Sequence, residues 1–233
     1  MAKKRINWEV VVFMAIDKKE VLRYLGYRGQ YIDKNMDKLI DDCIEETEKA
    51  VQEHFLYNVF PIIKKEEGME LEGTNIVLKG GNIQSHLCNA KRCTVMAVTI
   101  GGVIEKIIRY NERVNLTKAT VLDACATAAV EILCDKVEGN IKSFAQKQGL
   151  FITHRYSPGY GDFNIEIQKD ILRVLGAYKI GLTCTDNFIL MPRKSVTALI
   201  GIGDKEFNKK GHCKNCSNYK SCAYRKDEGY CDH

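Results

Sequence analysis

The stretch that most constrains the fold is Cys93–Ile100, an alternating, β-rich run closed by the pair Gly101-Gly102. Period-two alternation of this kind between turn residues predicts a central strand, around which other elements must be arranged. Two long segments of helical periodicity flank it. From Asp33 to His54 the apolar residues Met36, Leu39, Ile40, Cys43, Ile44 and Val51 recur at three- and four-residue spacing, which predicts an amphipathic helix with Asp33 as its N-cap. Asn115-Leu116-Thr117 opens a second helix running to about Val137, with continuation beyond Gly139 left open. It is rich in Ala119, Ala124, Ala126, Ala128 and Ala129. Those alanines either let another backbone approach closely or simply reflect alanine's helix propensity.

The remaining elements are shorter. Strands are expected at Ile6–Ala15, Tyr57–Ile63, Leu71–Leu78 and Phe151–Thr153, and short helices at Glu20–Leu25, from Asn82 to Leu87, Val103–Arg109 and Ile165–Leu175. Asn187–Met191 and Val196–Ile202 read as a hairpin around Pro192-Arg193-Lys194. Strands and helices alternate irregularly, without the rhythm of a doubly wound sheet, so the fold class is α+β.

Composition excludes little but usefully. A net charge of +5 over 233 residues permits weak attraction to phosphates or an acidic partner and does not require nucleic acid. No apolar run approaches the roughly 20 residues needed to span a bilayer. The basic start Met1–Arg5 is interrupted by Asn7, Glu9 and Asp17 before any apolar core forms, which predicts no signal peptide and a cytoplasmic protein. Of ten cysteines, Cys43, Cys88, Cys93, Cys125, Cys134 and Cys184 are scattered through apolar patterns and are expected to be core thiols.

Arg155-Tyr156-Ser157-Pro158-Gly159-Tyr160 is the most chemically suggestive segment. Proline followed by glycine favours a type II turn, since proline presets φ and glycine accepts a positive one. Such a turn presents backbone N–H and C=O groups at a fixed angle. Arg155 adds a planar fork suited to a carboxylate, and Tyr160 adds an aromatic face and a hydroxyl. An α-amino acid bearing a nucleoside would find matching chemistry. Pro-Gly turns are common, however, and by itself the segment is equally at home as a plain surface turn.

The segment resembles the Arg-x-x-Pro-Gly-Tyr element of the methionine synthase activation domain family. The resemblance continues through Ile180-Gly181-Leu182-Thr183, Met191-Pro192 and Ser195-Val196-Thr197-Ala198, and through Val130-Glu131-Ile132-Leu133 on the preceding helix. It covers roughly residues 90 to 202, and Val21–Gly26 is similar to stand-alone members. It implies a mixed, mainly antiparallel twisted sheet with packed helices over residues 1–205. It implies that Arg155 holds the carboxylate of S-adenosylmethionine, with Ser157, Pro158, Gly159 and Tyr160 lining the pocket. The family's acidic contact falls at Thr127 here, and Glu131, one turn later, is its substitute. Gly161-Asp162 stands where the long family form continues with prolines.

The activity implied is reductive methylation of the cobalamin of a methionine synthase or related corrinoid methyltransferase. The cobalamin would reside on that partner, and a flavodoxin- or ferredoxin-type donor would supply the electron. The chain would be one component of a cobalamin-dependent methionine synthase system. This chemistry accounts for what the sequence lacks: no Gly-x-Ser-x-Gly, phosphate loop or acid/base pair is present. Reduced cobalt is itself the nucleophile and the sulfonium the electrophile, so the protein need only orient them.

The last cysteines form a separate motif. Cys213-x2-Cys216-x5-Cys222-x8-Cys231, within a tail at 206–233, is a compact four-thiolate set of the kind that holds a metal. His212 and His233 offer substitute ligands. Zinc would make the tail a structural clip, and an iron–sulfur cluster would also take four thiolates. Two other functions remain open: a non-catalytic adaptor for a corrinoid protein, and nucleic-acid binding through Lys209, Lys210, Lys214, Lys220, Arg225 and Lys226 interleaved with Tyr219 and Tyr224. Only the S-adenosylmethionine reading needs Arg155.

Overall fold

Alternation along Arg92–Thr99 (β4) sends its side chains to two different cores, and both are filled. Met96 and Val98 face one cluster while Cys93, Val95 and Ala97 face the other, all fully buried. A strand covered on both faces must lie in the middle of a layered structure. The computed structural model describes residues 14–207. Within them His54–Lys65 (β1), Gly68–Leu71 (β2), Val77–Leu78 (β3), β4, Phe151–Ile152 (β5), Thr183–Cys184 (β6), Leu190–Met191 (β7) and Ser195–Gly203 (β8) are strands. Six of them form one sheet in the order β3-β2-β1-β4-β8-β5, antiparallel at every pairing. The fold is α+β, and the mixed character expected of the sheet is not found among the described residues.

One face of the sheet carries the helices Lys18–Tyr24 (α1), Lys34–Ala50 (α2), Val103–Val114 (α4) and Leu116–Gln146 (α5). The other carries Gly81–His86 (α3) and Gln168–Leu175 (α6). The alanine-rich helix is the hub of the first layer. At 31 residues it packs on α1, α2 and α4 as well as on β4, β5 and β8. All five of the alanines singled out above are buried, so the small side chains do serve close approach. Asp33 caps α2 as expected, accepting from the backbone N–H groups of Asn35 (2.8 Å) and Met36 (3.0 Å).

One pairing and several boundaries differ from the sequence reading. The predicted hairpin of 187–191 with 196–202 does not form: β7 pairs with β6, and β8 lies between β4 and β5. The reason is burial, since Ala198–Ile202 is an apolar run that a surface hairpin would leave half exposed. Leu71–Leu78 is not one strand but β2 and β3 joined by a turn. There the Thr74 hydroxyl donates to Leu71 O (2.7 Å) and accepts from Ile76 N–H (3.0 Å), a local bond that competes with the ladder. The helix expected to reach His54 stops at Ala50, because His54 already pairs with Thr99 in the sheet. The helix expected to end at Arg109 runs on to Val114. Of the strand expected at Ile6–Ala15, residues 6–13 lie outside the described residues, and Met14 and Ala15 are not in a strand. The cysteine tail also lies outside them.

Candidate functional site

The arginine segment leaves β5 and continues alongside β8, from Gly203 back towards the middle of that strand. Tyr156 bridges Leu199 of β8 with a reciprocal pair of backbone hydrogen bonds, each 2.9 Å, which fixes the register of the segment along that strand. The turn then closes with Tyr160 N–H donating to Ser157 O (3.4 Å). Gly159 stands at φ +92°, near the +80° of the third residue of a type II turn. Gly159 N–H donates to Phe163 O (2.8 Å), so the turn is folded back on its own continuation. Asp162, at the position where the family resemblance breaks, ties this loop to the other layer. Its carboxylate accepts from Gly81 N–H (2.6 Å) and Asn82 N–H (3.0 Å) at the start of α3.

Gly159→Val tests this geometry. An added Cβ would meet nothing closer than Ile165 Cδ1 at 3.6 Å, so the cost lies in the backbone and not in crowding. The variant is expected to lose about 1–2 kcal/mol of stability, because a β-branched residue resists positive φ. A denaturation midpoint equal to that of the parent would show that the turn does not need its glycine.

Arg155 is the centre of the site. Its side chain is only 8% exposed, and its guanidinium faces three carboxylates of α5. It donates to Asp135 Oδ1 at 2.6 Å and to Glu131 Oε2 at 3.1 Å, and Glu138 Oε2 lies 3.3 Å away. Glu131, Asp135 and Glu138 are spaced i, i+4 and i+7, so one face of the helix presents all three. Burial acts against the guanidinium's charge, and Cys134, Asp135 and Glu138 around it more than restore it, so its pKa is raised.

Glu131, Arg155, Ser157 and Tyr160 border one open cleft of about 180 Å³, together with Gln168, Leu190, Ser195, Val196 and Thr197. Pro158 and Gly159 belong to the turn without lining this cleft. Gln168 was not foreseen. It is buried at the start of α6, where its side chain accepts from the Thr197 hydroxyl (3.0 Å) and donates to Phe188 O. It thereby fastens the β6–β7 hairpin to β8. No local pattern announces a buried glutamine, which by composition alone belongs on a helix surface. Glu138 and Asp135 were also missed, although their helical spacing from Glu131 is visible in the sequence. Among the described residues no group of three or more His, Cys, Asp or Glu side chains is set to hold a metal ion. No helix among them is long and apolar enough to cross a membrane.

No known family model matches the chain, and no curated protein matches it in sequence. The likeness is structural. A crystal structure of the MetH reactivation domain bound to AdoHcy matches with a TM-score of 0.62, covering 80% of this chain and 74% of that one. The chain shares the fold of the MetH reactivation domain. Sequence identity over the match is 14%, a level at which the shared property is the fold.

Proposed function

We propose that this protein binds S-adenosylmethionine in the Arg155 cleft and supports reductive methylation of the cobalamin of a partner corrinoid methyltransferase, such as a methionine synthase. The observation that carries the reading is the convergence of Arg155, Ser157, Tyr160 and Glu131 on one cleft in a MetH reactivation-domain fold. The residue chemistry fits an amino-acid ligand. Arginine has five N–H donors, and the contacts to Asp135, Glu131 and Glu138 leave others for a ligand carboxylate. Glu131 offers an acceptor for the ligand's ammonium group. The cleft is smaller than the roughly 300–1,000 Å³ of sites that enclose a drug-sized ligand. It therefore takes the amino-acid end, and the nucleoside lies outward along Tyr160, which is 45% exposed. An open site of this kind leaves the methyl group accessible to a second protein.

In this reading the chain's residues bind and orient, and no side chain has to accept or donate a proton. The cobalt of the partner's reduced cobalamin is the nucleophile. Methyl transfer breaks the sulfonium S–CH3 bond and leaves the electron pair on sulfur. The tail cysteines Cys213, Cys216, Cys222 and Cys231 belong to the same proposal as ligands of a metal, zinc or an iron–sulfur cluster. A cluster would bring the required electron onto this chain, replacing or relaying a separate flavodoxin- or ferredoxin-type donor.

The test is a reactivation assay with a cobalamin-loaded methionine synthase, a chemical reductant and methyl-labelled S-adenosylmethionine. Label appearing on cobalamin only when the full chain is present is the expected outcome. Label transfer that is indifferent to this protein would remove the function. Metal analysis after anaerobic purification addresses the tail: iron, sulfide and visible charge-transfer absorbance support the cluster, and stoichiometric zinc without iron makes the tail a clip.

A further inference from the structure

The direction of the hydrogen bonds along β8 limits what that wall of the cleft can recognise. Phe188 O is a carbonyl and can only accept. The Gln168 amide that meets it must therefore present its nitrogen there, which turns Gln168 Oε1 towards Thr197. Thr197 in turn has to donate its one hydroxyl hydrogen to that oxygen, at 3.0 Å. The relay thus runs in a single direction. Its far end is anchored. Phe188 is the one non-glycine residue at positive φ among the described residues (+61°), its N–H donates to Thr185 O (3.0 Å), and the Lys169 ammonium sits 5.0 Å from its ring centroid. Ser195, two residues before Thr197 and so on the same face of β8, spends its hydrogen on Pro192 O at 2.7 Å, another group that can only accept. Both hydroxyls border the cleft, and both can offer it lone pairs and no hydrogen. Thr197 and Gln168 are 2% and 6% exposed, so the relay is shielded from solvent.

From this geometry we infer that Thr197 is a specificity-determining residue: its hydroxyl, locked as an acceptor by Gln168, holds the α-ammonium of the ligand and rejects analogues without one. This rests on the reading of the cleft as an S-adenosylmethionine site. At the amino-acid end of that ligand the carboxylate can only accept and belongs to Arg155. The ammonium can only donate, and it carries three N–H groups. An acceptor-only wall suits the second group and opposes the first. Glu131 supplies charge to the ammonium from α5, and Thr197 supplies direction from the sheet. A site built to hydrogen-bond a polar group discriminates strongly against a ligand lacking it, because its own buried atom then misses a partner. Gln168 is a positioning residue that acts through Thr197. Without it the hydroxyl is free to turn and to donate.

The experiment is calorimetric titration of the full chain with S-adenosylmethionine and with its deamino analogue, in which hydrogen replaces the α-ammonium while the sulfonium and carboxylate remain. The parent protein is expected to prefer S-adenosylmethionine by at least about tenfold. Thr197→Val is expected to weaken S-adenosylmethionine about tenfold and to leave the deamino analogue within about twofold, whereas Thr197→Ser keeps the parent's preference. Thr197→Val strands Gln168 Oε1, so a double variant, Gln168→Met with Thr197→Val, removes both polar partners together and guards against misfolding. It is expected to show the same selective loss. A parent that does not distinguish the two ligands would overturn the inference and leave the binding site standing. So would valine variants that bind both ligands as the parent does, or that lose both to the same extent, since the relay would then only fasten the hairpin. Failure of the parent to bind S-adenosylmethionine would overturn the site and this inference with it.

Discussion

Arg155→Ala is expected to lose about 2–3 kcal/mol of stability and to weaken S-adenosylmethionine binding about a hundredfold. The stability loss follows from the surroundings of the guanidinium. Glu131 and Glu138 are 19% and 27% exposed, so removing Arg155 takes a cationic partner away from two largely covered carboxylates. Asp135, at 66% exposure, is held by water and adds little. The binding loss follows from the ligand carboxylate, which would lose the guanidinium and keep only hydroxyl and amide partners beside the Glu131 carboxylate. Arg155→Lys separates the two effects. Its ammonium preserves the charge and most of the stability, and it lacks the planar fork that can engage α5 and a ligand at once. Urea denaturation and calorimetry on both variants give the two numbers, and unchanged affinity in Arg155→Ala would take this residue out of the ligand account.

Alkaline pH is expected to weaken the fold by about 4 kcal/mol between pH 9 and 10. Cys43, Cys93, Cys125 and Cys134 are fully buried, and burial pushes their thiols up, Cys43 to about 11 and Cys125 to about 12 from an ordinary 9.0. Cys93 and Cys134 are also raised, again chiefly by burial. The sign is fixed by linkage. Below about pH 8 the thiols are protonated in both states and contribute almost no pH dependence. Above it the unfolded chain releases those protons and the folded chain retains them, so stability falls as pH rises towards the folded values. Each thiol contributes about 1 kcal/mol between pH 9 and 10, or about 4 kcal/mol for the set. That is a large part of the 5–15 kcal/mol typical of a whole domain. Urea midpoints at pH 7, 9 and 10 measure it, and Cys93→Val should flatten the decline by one thiol's share. A midpoint unchanged to pH 10 would mean that these thiols are not held protonated by the fold.

The sequence made some parts of the architecture plain and hid others for identifiable reasons. Residues with a strong period were read correctly: the alternation of β4, the apolar face of α2 behind Asp33, and the alanine-rich α5. Pairing was not legible, because period-two alternation says which face a residue takes and not which strand lies beside it. Hence 187–191 was assigned to the wrong neighbour, while β8 in fact joins β4, nearly a hundred residues earlier in the chain. In the candidate site Arg155, Ser157, Tyr160 and Glu131 could be named from their motif. The environment of Arg155 could not, since three carboxylates around one guanidinium arise only when the loop is laid against α5. Gln168 was invisible for a related reason: its burial depends on Thr197 and Phe188, which tertiary structure alone brings to it.

Titration of S-adenosylmethionine into the purified full chain tests whether the Arg155 cleft holds that ligand. Saturable one-to-one binding, lost in Arg155→Ala protein whose circular dichroism shows it still folded, is the expected result. Folded parent protein that gives no saturable heat at millimolar ligand would contradict it.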